Sequence, residues 1–202
     1  DVDKIVVASI ITQPAKNQRP IGVIIEVLGD YLAYGMEIEI AIRNHGLPHQ
    51  WSPECLEVAN KVDMQESLRI ELAKRRDLRQ LPFVTIDGED AQDFDDAVYC
   101  SARADGRYEL YVAIADVSYY VEPGTAVDQE ALKRGNSVYF PGRVIPMLPE
   151  ILANDWCSLK PHQERLTMVC QMLLGADGSI QTYQFYEAVI ISQARLTYSQ
   201  AY

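Results

Sequence analysis

Long apolar runs are missing from this sequence. Nothing in its 202 residues approaches the ~18 consecutive apolar residues of a membrane-spanning helix. The opening DVDKIVVASIITQPAKNQRP is acidic first and has no small-residue cleavage site, so an export leader is not expected either. Cysteine is sparse: Cys55, Cys100, Cys157 and Cys170 stand far apart, with no CxxC pair and no histidine at zinc spacing. That argues against zinc, and the four read as reduced thiols in the core of a cytoplasmic protein. The three histidines, His45, His49 and His162, are scattered and read as structural or exposed. Basic charge is also short, 18 Lys and Arg against 29 Asp and Glu, a net charge of −11. A surface that binds nucleic acid everywhere is thereby excluded, but one local site holding cations is not.

What is present fits one good core or two small domains. Lys4 to Ile11 (KIVVASII) and Ile21 to Leu28 (IGVIIEVL) are β-branched runs separated by a polar, proline-bearing segment, and predict two strands of a small β-domain. Met36 to Arg43 alternates like a strand yet ends in a helix stop, His45-Gly46 followed by Pro48, and is read as a helix. Ser52-Pro53-Glu54 offers an N-cap with proline at the first helical position, and Asp63 with Glu66 repeats a capping box, so residues 53 to 76 form one or two helices. From Leu81 the texture changes. Strands are expected at 83–86, 97–100, 108–114, 137–140, 167–174 and 180–189, with a short helix at 128–134. Asp105-Gly106 and Asp177-Gly178 mark tight turns between strands.

The segment TIDGEDAQDFDDAVYC places six acidic side chains within Asp87 to Asp96. Runs of Asp and Gly often mark nothing more than a solvated loop. Here Phe83, Val84 and Ile86 precede the run and Phe94, Ala97, Val98 and Tyr99 end it, so the base of the loop should lie beside the core. Carboxylates crowded there repel one another unless cations or protons neutralise them. With only oxygen ligands, Mg²⁺, Mn²⁺ or Ca²⁺ is favoured over zinc. A calcium EF-hand would need a central Gly and a terminal Glu, and no register of DGEDAQDFDDAV supplies both. Two magnesium ions about 3.5–4 Å apart can orient an attacking water and stabilise a leaving oxygen in phosphodiester cleavage.

TIDGEDAQDFDDAVY, VAIADVSYYVEPGTAVDQEALKRGNSVYFPGRVIPMLPE, CSLKPHQERLTMVCQM and FYEAVIISQARLTYSQ together resemble the catalytic domain of the ribonuclease II superfamily, most of all its bacterial ribonuclease R branch, over Leu81 to Tyr202. Lys4 to Val62, with GVIIEVLG and RNHGLPHQWSPE, resembles the end of a cold-shock domain and a connector. The fold the resemblance implies is α+β: part of an OB-like β-barrel of the cold-shock type over 1–52, a helical connector over 53–80, and the N-terminal part of a mixed α/β catalytic domain over 81–202.

The activity it implies is a processive, Mg²⁺-dependent 3′-to-5′ exoribonuclease that releases 5′-mononucleotides, with Mn²⁺ able to substitute. The family's four-aspartate pattern falls on Asp87, Asp93, Asp95 and Asp96 as metal-site residues, with Asp95 the one without which cleavage stops while RNA stays bound. Glu89 and Asp90 lie outside the pattern and read as loop carboxylates. Tyr139 in RGNSVYFP matches a tyrosine that packs on RNA near its 3′ end; from spacing alone it is a strand tyrosine. Asp116 lies near a family motif but reads as an aspartate bonding a strand-end backbone. Arg134, Arg143, Lys160 and Arg165 are phosphate contacts or surface charges alike. The implied partner is the single-stranded 3′ end of RNA, the implied protein cytoplasmic and monomeric with no membrane partner. The family's domain continues past the equivalent of Tyr202, where an arginine assists cleavage, so this sequence reads as a piece of a longer enzyme that does not cleave alone. A non-catalytic single-stranded RNA-binding module is the other class open to it; the intact aspartate set favours the enzyme.

Overall fold

The protein is described by a computed structural model covering residues 3–202. In chain order it forms β1 (Lys4–Thr12), β2 (Ile21–Asp30), α1 (Met36–Asn44), α2 (Pro53–Asn60), α3 (Met64–Glu71), β3 (Arg76–Asp77), β4 (Phe83–Asp87), β5 (Asp96–Ala102) and β6 (Tyr108–Ala115). There follow α4 (Val117–Tyr120), α5 (Ala126–Arg134), β7 (Val138–Phe140), β8 (Arg143–Ile145), a π-helical turn (Leu152–Trp156), β9 (Glu164–Leu174), β10 (Ile180–Thr197) and α6 (Tyr198–Ala201). The mixture of helices and sheets is the α+β class expected. Two compact units emerge, one running to Gln50 and adding Val138–Ile145, the other comprising Trp51–Ser137 and Pro146–Tyr202.

In the first unit β1 and β2 pair antiparallel, with register shifts that bend the ribbon. A Cβ on Gly22 would lie 2.9 Å from the Ser9 carbonyl oxygen, so only glycine fits that crossing. The ambiguous run at Met36 is a helix. Its first turn carries Glu37 and Glu39, it buries Met36 and Ile42, and Arg43 near its end is gripped by Glu39 one turn back and by Glu26 on β2. The β7–β8 hairpin pairs Tyr139 with Val144, turning at Gly142 (φ 74°), and Arg143 binds Glu39.

The second unit is built on a six-stranded sheet in the order β3-β10-β4-β5-β6-β9. The order closes on itself, because β10 is 18 residues long. Its first part pairs antiparallel with β9, and its last pairs parallel with β4. Helix starts follow the capping logic of the sequence: Ser52 Oγ accepts from the Cys55 amide, Asp63 from Gln65 and Glu66, and Thr125 from Asp128. The core gathers Phe83, Tyr99 and Tyr111, with ring centroids 5.7–6.3 Å apart, and fully buried Leu152, Leu166, Val169 and Ile190.

Several expectations need correction. The strand expected at 180–189 runs on to Thr197, past a bulge between Ser192 and Ala194 where Ser192-Gln193 breaks the apolar pattern. Strands β3 and β8 were not foreseen, being two and three residues long. Only Cys55 and Cys157 are buried; Cys170 is half-buried and Cys100 exposed. The Asp116 carboxylate, expected to bond a strand-end backbone, meets the side chains of Arg75 and Ser118 instead.

Candidate active site

The acidic run spans the connection between two sheet strands. Asp87 is the last residue of β4 and Asp96 the first of β5, which pair through Val84 and Val98. Between them the backbone leaves the sheet, so its polar groups need partners from elsewhere. The Gly88 carbonyl accepts from the Ala91 amide at 3.3 Å and from Arg195 Nη2 at 3.1 Å, and Arg195 Nη2 also donates to the Glu89 carbonyl. Ser158 Oγ donates to the Gln92 carbonyl at 3.2 Å and accepts from the Phe94 amide at 3.1 Å. The Phe94 carbonyl accepts from Leu159 N, and the Asp95 carbonyl from Ala115 N.

Phe94 anchors the loop to the core. Its ring is buried, and the Arg195 guanidinium lies 4.9 Å from its centroid. On either side of Phe94, Asp95 is exposed and Asp93 half-buried, while Glu89 and Asp90 are exposed on the loop. The sequence-predicted Asp87, Asp93, Asp95 and Asp96 thus share one loop and its two strand ends.

The electrostatics show the cost. The Asp87 carboxyl is pushed up from its ordinary pKa by burial, then by the charges of Asp96, Asp95 and Asp93, with Arg195 opposing. Asp95 is also raised: its side chain keeps contact with solvent, but the protein around it strips part of its hydration, and Asp96 and Asp93 add to this against a stabilising backbone hydrogen bond. Asp87 Oδ2 is buried without a hydrogen-bond partner. A buried carboxylate oxygen with no donor, among other carboxylates, fits a hard divalent cation, which takes oxygen ligands and cancels the repulsion. Among the described residues no three His, Cys, Asp or Glu side chains already converge as a ligand shell.

The other expected residues belong to other elements. Tyr139 is on the β7–β8 hairpin in the first unit, 64% exposed. Of the basic candidates, Arg134 lies 3.4 Å over the Trp51 ring and bonds the Pro146 carbonyl, Arg143 binds Glu39, and Lys160 binds Asp155. Arg165 is buried, with Nε on the Ser158 carbonyl. Structural contacts therefore engage all four. Sequence reading missed Ser158 and Arg195. Arg195 lies beyond Ser192-Gln193, where the apolar pattern is broken, and nothing local marked Ser158.

Comparison with known proteins decides the family. A family described as the RNB domain matches residues 75–202. The chain belongs to the RNB-domain family. A second family, the cold shock domain, matches residues 1–52. Ribonuclease R of Vibrio cholerae serotype O1 is 52% identical over 199 residues, covering 98% of this chain and 24% of that protein. A structure of Mycoplasma genitalium RNase R in complex with double-stranded RNA superposes with TM-score 0.90 at 33% identity, over 98% of this chain and 35% of that one. Yeast Ssd1, described as a pseudonuclease, shares the fold at TM-score 0.70, 22% identity, over 98% of this chain and 25% of its own. This RNB chain spans about a quarter of the length of the curated relative.

Proposed function

We propose that this RNB chain carries the cleavage site of a processive 3′-to-5′ exoribonuclease that hydrolyses RNA phosphodiester bonds and releases 5′-mononucleotides. The observation that carries the reading is the loop between β4 and β5, where Asp87 is destabilised by burial, Asp95 by partial loss of hydration, and both by neighbouring carboxylates, and where Asp87 Oδ2 has no donor. Asp87, Asp93, Asp95 and Asp96 would hold Mg²⁺, or Mn²⁺ in its place. A divalent ion, when bound, supplies positive charge against the scissile phosphate and the leaving oxygen. Asp95, the exposed member, would orient a water and take its proton on a carboxylate oxygen. Tyr139 offers an exposed ring for a base near the 3′ end, a contact that tolerates any base. On this reading residues 1–52 form the cold-shock part, 53–80 the connector and 81–202 the catalytic part of a cytoplasmic, monomeric enzyme acting on single-stranded RNA ends. The ribonuclease R relatives, one of them bound to RNA, support it.

Because a pseudonuclease has the same fold, fold alone does not choose between cleavage and mere binding. The aspartate set favours cleavage, since binding RNA needs no crowded carboxylates. The deciding experiment measures RNA binding and mononucleotide release by the intact protein in Mg²⁺ buffer, with and without chelator, beside Asp95→Asn. Release should need the metal, and the variant should bind RNA as the parent does while losing at least about a hundredfold in rate, ~2.7 kcal/mol of barrier. A rate near the parent's, or binding lost along with cleavage, is incompatible with the role given to Asp95.

A further inference from the structure

The geometry points to Arg195 and Ser158 as positioning residues that brace the aspartate loop from its two ends, so that the carboxylates are presented on a loop already shaped before metal or RNA arrives. This rests on the reading of that loop as the cleavage site.

The loop has no ladder of its own. At its first end, one Arg195 nitrogen bridges the carbonyls of Gly88 and Glu89, immediately after Asp87. The same guanidinium lies over the ring of Phe94 near the other end, so a single planar group touches both limbs. Arg195 itself is held by strand pairing: β10 lies parallel to β4, with Arg195 opposite Thr85 and Thr197 opposite Asp87. The brace and the first aspartate therefore sit two residues apart along one strand pair.

Ser158 does the corresponding work at the second end. Its fully buried hydroxyl gives its proton to the Gln92 carbonyl and takes the Phe94 amide. Those two backbone groups flank Asp93, so one oxygen sets the conformation on both sides of that residue. Ser158 is fixed in turn, its carbonyl accepting from buried Arg165 Nε at 2.9 Å and its amide bonding the Asp155 carbonyl at 3.1 Å. Both hold the loop through its backbone, Arg195 by two carbonyls and Ser158 by one carbonyl and one amide. Catalytic groups must be held to within about 0.5 Å of productive geometry, which a loop held only by its termini does not achieve.

The test uses Arg195→Ala, Arg195→Lys and Ser158→Ala. Amide hydrogen exchange in peptides covering 88–95 should quicken about tenfold or more in both alanine variants, with β9 unchanged, because only the loop loses its partners. Mn²⁺ affinity, read by the paramagnetic resonance of the free ion, should fall with it. In the intact protein kcat should drop more than about tenfold, with RNA affinity within about twofold. Arg195→Lys keeps the charge but lacks the planar fork, and should exchange like the alanine variant. Unchanged loop exchange in the alanine variants, or full recovery by lysine, overturns the proposal. Should the unsubstituted protein show no metal-dependent cleavage, the functional reading falls, while the exchange and Mn²⁺ measurements still judge the brace. If Arg195→Ala does not fold, Ser158→Ala, which removes one oxygen, decides.

Discussion

Arg75 Nη1 lies 2.6 Å from Asp116 Oδ2, with only 2% and 5% of the two side chains exposed. Arg75 Nε also binds Glu71 at 2.9 Å, so one buried guanidinium joins the end of α3 to the residue that follows β6. Removing one partner of a buried pair leaves the other uncompensated. Arg75→Met should therefore lower stability to urea by about 3–5 kcal/mol. The double variant Arg75→Met, Asp116→Leu should lose much less than the sum of its singles, because no orphaned aspartate remains at position 116. Strictly additive losses in the cycle would show that the pair does not couple.

Tyr139→Ala in the intact protein should leave the rate of RNA degradation largely unchanged but lengthen or blur the final product. The substitution takes away an exposed ring on the β7–β8 hairpin and no carboxylate. A stacked base is worth about 1–3 kcal/mol, enough to set where the enzyme lets go. Product lengths on a sequencing gel identical to the parent's would remove Tyr139 from the RNA path.

Glu89→Gln and Asp90→Asn should be nearly silent. Both side chains are exposed on the loop tip, and it is the Glu89 carbonyl, not its carboxylate, that Arg195 engages. A rate loss beyond about tenfold in either, ~1.4 kcal/mol, would mean that the site extends to the tip.

The pair Asp77–Arg79 should give a pH signature of its own. Hydrogen bonds from the Arg79 side chain and backbone hold the Asp77 carboxyl down to about 2, against an ordinary 3.8. A lowered pKa means the folded state binds the proton less readily than the unfolded chain. The stabilisation is thus complete above the unfolded value and lost as pH falls through the folded one. The Tm difference between the parent and Asp77→Asn should be constant above about pH 5 and close as the pH nears 2. A difference that widens on acidification would reverse the sign and reject the assignment.

Much of this was legible in the chain because local chemistry wrote it there. Capping residues Ser52 and Asp63 start their helices as read, and the Asp105-Gly106 turn places Gly106 at φ 80°. The acidic run stood out because charge next to Phe94 and Ala97 needs a reason. What escaped was non-local. The far half of β10 is recognisable only once β4 is beside it, since a bulge at Ser192 interrupts the pattern. Asp116 found Arg75 across 41 residues, and Ser158 found the loop across 64, distances over which no periodicity carries information. Alternation at Met36, Ile38, Ile40 and Ile42 pointed to a strand; the stop signal after it carried the correct reading.

The length of β10 also dictates an order of events on the way to the native state. The strand that ends in Asp87 is laid against residues 192–197, and Arg195 reaches a carbonyl 106 residues earlier in the chain. Contacts of such separation are costly to close and form late, after local hairpins such as β9–β10 have paid part of the chain entropy. During synthesis the aspartates therefore leave the ribosome long before the strand that arranges them, and the nascent chain carries its acidic segment unassembled until that strand arrives.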